Sequence, residues 1–142
     1  MHLPINPQPE DRCAVAVNMA ARVAWESQRA WYRETGYEVP AWADIDNTAR
    51  LNYVDFAIRL VQNPDEGAAE AHEYVFDTEV NTLPSGVRRP FEDCPVAYRV
   101  SLSLAVAAIR AVTDNLVSAR QMRQYMQQLE DGTDPFMSET HH

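Results

Sequence analysis

Residues 9–36, PEDRCAVAVNMAARVAWESQRAWYRETG, decide the fold, because their pattern predicts one long amphipathic helix. Pro9 suits the first helical turn, and the two acidic residues after it suit the positive end of the helix dipole. Gly36 suits the position just beyond the helix, so the helix is expected to end near Thr35. Its apolar stripe is predicted at Val15, Met19 and Val23, with Ala16 and Ala20 beside it.

Further apolar spacing predicts more helices after this one. The second is expected to be capped by Asp44 or Asp46 and to end at Asn63, before a proline. Its apolar residues recur at three- and four-residue intervals: Leu51, Val54, Ile58 and Val61. The third helix is expected over residues 64–79. A proline-containing loop follows it, with a short pairing expected around residues 80–90.

The last helical stretch is predicted over residues 95–129, with a break within residues 114–118. Its buried side is predicted at Tyr98, Leu102, Ala105, Ile109, Val112 and Leu116. Residues 1–8 are expected to form an extended arm, and residues 130–142 a flexible tail. The sequence therefore predicts an all-α domain of four to five helices over residues 9–129.

Composition limits the classes of partner. The chain has 142 residues and a formal net charge of −9, and its 12 basic residues are all arginine. That charge argues against binding to a nucleic-acid polymer or an anionic membrane, which both need a basic footprint. No run of about 18 apolar residues and no signal-peptide pattern occurs, so a cytoplasmic location is expected. Cys13 and Cys94 are expected to be reduced, buried thiols.

The first helix carries candidate ligand-binding residues. Trp25, Gln28, Arg29 and Tyr32 share one helical face, whereas Trp31 lies about 120° away around the helix. This face could be one wall of a ligand pocket. Alternatively, the rings are structural, and the charged residues beside them form ion pairs along the helix surface.

A second group of candidates follows in the predicted third helix. His72 and Glu73 are adjacent, but the segment lacks the second histidine of HExxH, which excludes that type of zinc site. A stripe of carboxylates is predicted at Glu66, Glu70, Glu73 and Asp77. The stripe is either a solvated acidic face or a Mg²⁺ site of a nucleotide hydrolase. The second interpretation also needs a carboxylate pair on a neighbouring helix.

Arg88 and Arg89 form the best anion-binding candidate, since Gly86 frees the backbone next to them and guanidinium groups hold phosphate well. No phosphate-binding P-loop, GxGxxG, GxSxG or Cys-His metal spacing occurs in the sequence. We therefore expect no catalytic residue, no metal site, no cofactor and no enzymatic activity.

Read in order, these segments resemble the RyR domain, the helical repeat of ryanodine receptors that also occurs as single-domain proteins in bacteria and phages. WESQRAW at residues 25–31 resembles the opening H-E-x-N-R-A helix, with Trp25 in place of the histidine. The later matches are Pro40-Ala41-Trp42, Asn63-Pro64-Asp65, His72-Glu73, and PFEDCP at residues 90–95. Val75 stands where the family usually has tryptophan.

The resemblance implies two pseudo-symmetric helical halves with a ligand in the cleft between them. The implied ligand is a nucleotide-derived small molecule, such as a cyclic nucleotide or an ADP-ribose-type immune signal. An aromatic ring would lie against its base and arginine against its phosphates. The implied ligand-binding residues are Trp25, Glu26, Arg29, Trp42, His72, Glu73, Tyr74, Arg88 and Arg89.

A chain of this length has no room for a separate effector domain, so binding itself is expected to be the output. The protein would act as a phage-type sponge against host defence or as a sensor, and a homo-oligomer is expected. The alternative is a structural oligomerisation protein that binds no ligand. Its seam would lie on the last helix at Met122, Tyr125, Met126 and Leu129.

Overall fold

A computed structural model describes residues 9–131, which contain five α-helices and no β-strand. The helices are α1 (Pro9–Glu34), α2 (Asn47–Gln62), α3 (Ala68–Ala71), α4 (Val96–Leu116) and α5 (Ala119–Glu130). Short 3₁₀ turns occur at Trp42–Asp44 and Phe91–Asp93. The all-α prediction is confirmed. The predicted arm 1–8 and nearly all of the predicted tail lie outside the described residues.

Helix α1 has the predicted bounds but a different buried face. Gly36 follows it with φ +93°, as predicted for its position. The buried residues are Cys13, Ala14, Ala16, Val17, Ala20, Ala21 and Ala24. The predicted stripe is confirmed at Ala16 and Ala20 and wrong at its larger residues, since Val15 and Val23 are only half-buried and Met19 is 39% exposed. The small side chains on the alanine face let α4 pack closely against α1.

Helix α2 confirms one of the two predicted caps. The Asp46 carboxylate accepts a hydrogen bond from the Ala49 N–H at 2.8 Å, and the helix ends before Asn63 as predicted. Its buried residues are Tyr53, Phe56, Ala57 and Leu60. The predicted apolar residues Val54, Ile58 and Val61 instead flank this face, and Leu51 is 60% exposed. The predicted buried face of α2 is therefore displaced by about one residue from the observed one.

The prediction of a helix over residues 64–79 is wrong, because α3 covers only Ala68–Ala71. An isolated helix this short is marginal, so packing decides the chain path. The chain then follows a loop held by the Asn81 side chain, which bonds the Thr78 N–H and the Phe76 carbonyl. The carboxylates of residues 66–77 therefore form no continuous stripe. The expected pairing around residues 80–90 is present as a single bridge between Thr82 and Arg88.

The last helical stretch breaks where the sequence predicts, between α4 and α5 at residues 117–118. In α4, Leu102, Ala105 and Ile109 are buried as predicted, whereas Leu116 is 46% exposed. The α5 residues predicted as an oligomer seam, Met122, Tyr125 and Met126, belong to the core of their own chain. The side chain of Leu129 is not among those that the structure describes. That face is therefore already covered within the chain.

The resemblance implies that AWE at residues 24–26 and AHE at residues 71–73 occupy equivalent places in the two helical halves, but these segments differ in the structure. Helix α1 has 26 residues and α3 has four. Trp25 and Glu26 lie inside α1, whereas His72 and Glu73 follow the end of α3. Helix α4 instead packs antiparallel to α1, since the Trp31 indole donates to the Ala97 carbonyl and Gln28 bonds Ser101.

By length and composition, α4 is the one described helix that could cross a membrane, with a mean hydropathy of 1.4 over its most apolar window. A third of that window is buried inside the domain. The same pattern is typical of a helix at the centre of a bundle, which is the position that α4 takes here. Cys13 and Cys94 are buried thiols that form no disulfide, as predicted.

Candidate functional site

A cavity of about 280 Å³ opens between α1, α2, α4 and the loop of residues 75–81. Its lining residues are Trp25, Gln28, Tyr32, Val39, Tyr53, Phe56, Val75, Phe76, Thr78, Val80, Asn81, Tyr98, Ser101 and Leu102. No charged side chain lines it among the described residues. Its volume lies just below the range typical of small-molecule sites, about 300–1,000 Å³. The cavity therefore has room for one ring system rather than for a large charged ligand.

Aromatic rings on different elements form much of the wall. The ring centroids of Trp25 and Tyr53 lie 5.2 Å apart at an interplanar angle of 79°, an edge-to-face pair. Phe76 lies 5.7 Å from Tyr53 and is 41% exposed, so its ring stands at the opening. The Trp25 Nε1–H donates to the Pro40 carbonyl at 2.8 Å, which fixes the indole orientation. These rings are held in place before any ligand arrives.

Gln28 joins three elements at one end of the cavity. Its side-chain nitrogen donates to the Ser101 carbonyl at 3.2 Å and to the Ser101 hydroxyl at 2.8 Å. Its side-chain oxygen accepts the hydroxyl hydrogen of Tyr53. Burial raises the pKa of the Tyr53 phenol far above its usual value. Tyr53 is therefore a neutral donor, and one glutamine connects α1 to both α2 and α4.

A directed chain of hydrogen bonds supports the other end. The backbone carbonyl of Arg89 can only accept, so the fully buried His72 must donate to it from Nε2. His72 Nδ1 is then an acceptor, and the Tyr98 hydroxyl donates to it at 2.9 Å. Asn81 in turn donates to the Tyr98 oxygen at 3.3 Å. The pKa of Tyr98 is raised, mainly by burial.

Of the nine ligand-binding residues that the resemblance implies, only Trp25 lines this cavity. Glu26 accepts a hydrogen bond from the Trp42 N–H at 3.2 Å, and its other oxygen lies 3.2 Å from the Arg29 guanidinium. Desolvation acts to raise the pKa of Glu26, but these two contacts outweigh it and the pKa is lowered. Arg29 also donates to the Val39 carbonyl at 3.0 Å. These residues therefore clamp the loop after α1.

The histidine segment is divided between structural and surface positions. His72 is structural, as described above, and Glu73 is exposed. The Tyr74 ring lies under the Arg59 guanidinium, with 4.2 Å between the guanidinium carbon and the ring centroid. Burial and the nearby Glu66 raise the pKa of Tyr74 to about 12. This pair lines a separate hollow beside α2.

Arg88 and Arg89 do not line the cavity either. Arg88 donates to the Val75 carbonyl at 2.7 Å and pairs with Asp77 at 2.8 Å. Arg89 receives the His72 hydrogen bond at its backbone carbonyl. The Arg88 guanidinium is therefore held by partners within the chain, whereas the binding of a phosphate by Arg88 and Arg89 stays a prediction.

The predicted Mg²⁺ stripe is also not observed. No group of three or more His, Cys, Asp or Glu residues in the described part of the chain could hold a metal ion. The short α3 separates Glu70 from Asp77 by a loop, so their carboxylates do not share a helical face. The alternative of a Mg²⁺-dependent hydrolase therefore loses the feature on which it depended.

Three of the four residues predicted to form one pocket wall on α1 line the cavity, namely Trp25, Gln28 and Tyr32, but sequence reasoning missed most of the other lining residues. Tyr53 could have been found from the α2 spacing 53, 56, 57, 60, which marks the true buried face. Tyr98 was predicted on the buried side of α4, but its contact with Asn81 could not be predicted, because the two residues come together only through the loop between α3 and α4. Phe76 was assigned to a helix that does not form.

A scan against family models found no match to this chain, and neither did searches of curated proteins and of solved structures. The cavity must therefore be interpreted from its own residues. Its rings are preformed, its opening is partly apolar, and its described lining carries no charge. That combination is typical of a site for a small, flat ligand.

Proposed function

We propose that this chain binds a nucleotide-derived small molecule without turning it over, as a phage-type sponge or a sensor of RyR-domain type. The observation that carries the proposal is the cavity walled by Trp25, Tyr53 and Phe76, which suits a planar base. A base that stacks on an aromatic side chain gains about 1–3 kcal/mol. The base would enter the cavity, and the phosphates would remain at its mouth.

Binding without turnover is supported by the chemistry of the wall. The described lining residues include no carboxylate, histidine or cysteine, so the hydroxyls of Thr78 and Ser101 have no such base beside them on the wall to activate them as nucleophiles. His72 lies behind Tyr98, and both of its ring nitrogens are already bonded. We further propose that the protein acts in the cytoplasm, where a sponge would meet signalling nucleotides.

Substituting Phe76 with alanine is expected to weaken ligand binding about tenfold or more while leaving the fold intact. The ring stands at the opening and is 41% exposed, so its loss removes stacking but little core packing. The ligand is first found with a thermal-shift panel of cyclic di- and trinucleotides, ADP-ribose, ATP and AMP. Its affinity is then measured by titration calorimetry, and chromatography shows whether it is recovered intact.

Leu51→Ala is the matched control, since Leu51 is an exposed apolar residue on α2 outside the cavity. It should bind the ligand with unchanged affinity. A panel that leaves the melting temperature unchanged would refute the proposed function. Equal affinity of the Phe76→Ala and wild-type proteins would place the ligand elsewhere, and a hydrolysed ligand would refute binding without turnover.

We also propose that the protein forms a homo-oligomer. One observation supports this, and it also favours the alternative function, that of a structural oligomerisation protein. The outer face of α4 is apolar at positions that share one side of the helix: Val96, Val100, Leu104, Ala107 and Ala111. Val96 is 63% exposed and Leu104 is 38% exposed. Contiguous apolar surface of this kind is typical of an interface between protein chains.

Leu104→Glu is expected to shift the protein toward monomer in sedimentation experiments, because it places a charge in the middle of the outer α4 face. Leu51→Glu introduces the same charge at an exposed leucine on α2 and should leave the assembly unchanged. A wild-type protein that sediments as a monomer at high concentration would contradict the oligomer proposal.

A further inference from the structure

We infer that the cavity recognises the uncharged, hydrogen-bond-donating edge of a flat ring, and that phosphate groups on the ligand add little affinity. This inference rests on the proposed function and specifies which part of the ligand the protein binds. It follows from counting the hydrogen bonds that the polar cavity residues have already formed.

The orientation of the Gln28 amide is fixed by the backbone. Its nitrogen faces the Ser101 carbonyl at 3.2 Å, and a carbonyl can only accept. Its second hydrogen goes to the Ser101 hydroxyl at 2.8 Å. Gln28 therefore has no N–H left for a ligand. Its oxygen accepts one hydrogen bond, from Tyr53, and keeps a second lone pair.

The orientation of the Asn81 amide is fixed in the same way. Its nitrogen donates to the Phe76 carbonyl at 3.1 Å and to the Tyr98 oxygen at 3.3 Å. Its oxygen accepts from the Thr78 N–H at 2.8 Å and keeps a second lone pair. Both amides that line the cavity have therefore used their hydrogens within the protein, and each retains capacity only as an acceptor.

The phenols of Tyr53 and Tyr98 have likewise used their hydroxyl hydrogens within the protein. The hydroxyl hydrogen of Tyr98 goes to His72, and that of Tyr53 goes to Gln28. Among the described lining side chains, the hydroxyls of Tyr32, Thr78 and Ser101 keep a hydrogen with no assigned partner, and each of these oxygens can also accept. Acceptor sites therefore outnumber donors on the wall. A ring edge with N–H groups matches such a wall, whereas an anion meets oxygen lone pairs.

Two arginines donate hydrogen bonds to backbone carbonyls of residues that line the cavity, and the described lining itself includes no charged side chain. Arg29 donates to the carbonyl of Val39 at 3.0 Å, and Arg88 donates to the carbonyl of Val75 at 2.7 Å. Val39 and Val75 both line the cavity. Each guanidinium also pairs with a carboxylate, Arg29 with Glu26 and Arg88 with Asp77. Phosphates at the mouth would therefore lie mainly in water, where added charge contributes little.

The test is titration calorimetry of the full chain with six probes. Adenosine and guanosine carry exocyclic amines, purine riboside and inosine are the same molecules without them, and AMP and GMP add a phosphate. For the better-binding base, the monophosphate should bind within about threefold of its nucleoside. The matched nucleoside without the exocyclic amine should bind about three- to tenfold more weakly than the nucleoside that carries it, because one hydrogen bond is lost. Raising the salt from 50 to 500 mM should change the affinity less than twofold.

The outcomes separate this inference from the proposed function. A monophosphate that binds more than tenfold tighter than its nucleoside, with affinity that falls in salt, would overturn the inference while leaving the cavity as a nucleotide site. Equal affinity with and without the amine would overturn the donor-edge part. If none of the six probes binds while a nucleotide of the thermal-shift panel does, the inference is overturned and the proposed function stands, whereas silence of the panel as well defeats both. Phe76→Ala should lose affinity for every probe that binds, which places them all in the cavity.

Discussion

Replacing His72 with alanine is expected to lower the free energy of unfolding by about 3–5 kcal/mol, the largest loss that we predict for a single substitution. The ring is fully buried and packs against Phe91 and Tyr98 at centroid distances of 5.5 and 5.6 Å. Its removal leaves a cavity, an Arg89 carbonyl without its donor and a Tyr98 hydroxyl hydrogen without its acceptor. Urea denaturation followed by circular dichroism measures the loss.

Glu73→Ala is the matched control, since Glu73 is the next residue and is exposed. It should change the stability by less than about 0.5 kcal/mol. This contrast matters because the His72-Glu73 pair carries part of the resemblance to RyR domains. If His72→Ala proves as stable as wild type but cannot bind ligand, the histidine is a binding residue rather than a structural one.

Local signals in the sequence were sufficient for most helix ends. Pro9 and Gly36 bracket α1 correctly, Asp46 caps α2, and the break between α4 and α5 lies where it was expected. Each of these helix ends depends on a local property of a few neighbouring residues: the missing N–H of proline, the positive φ of glycine or a side-chain cap. Such signals act before the chain packs, and the sequence alone reports them.

The choice of buried face could not be predicted in the same way. Met19 and Ala20 both lie at helical spacing from other apolar residues of α1, and hydrophobicity alone favours burial of the larger side chain, Met19. The structure buries Ala20 and leaves Met19 39% exposed. The reason lies in α4, whose close approach needs small partners. Which face that partner meets is a tertiary property that helical spacing on α1 does not contain.

The candidate site was the least predictable part. The resemblance implied that Glu26 and Arg29 contact a ligand, and Arg29 also shares the helical face of Trp25, yet both hold the loop that contains Val39 and Trp42. A guanidinium next to a loop finds backbone carbonyls as readily as it finds phosphate. Only the folded path of that loop shows which partner it has. The donor and acceptor balance of the cavity likewise depends on contacts between α1, α2, α4 and the loop at Asn81.

Arg110→Ala is expected to cost about 2–3 kcal/mol of stability through the end of α2. The last carbonyls of a helix lack partners within it, and a cation there also complements the helix dipole. The Arg110 guanidinium donates to the carbonyls of Leu60 and Asn63, both at 3.2 Å, and also to that of Glu66. One side chain on α4 thereby fixes both the end of α2 and the turn that leads to α3.

The geometry of this contact makes the prediction specific to arginine. Lysine presents one compact charge and cannot reach three carbonyls at once, so Arg110→Lys should recover less than half of the loss. Arg123 is an exposed residue of α5 that lines one groove together with Arg110, and Arg123→Ala should change the stability by less than about 0.5 kcal/mol. Thermal and urea unfolding of the three variants give the comparison. If Arg110→Ala costs no more than Arg123→Ala, water replaces the guanidinium at these carbonyls and other contacts must hold α2 in place.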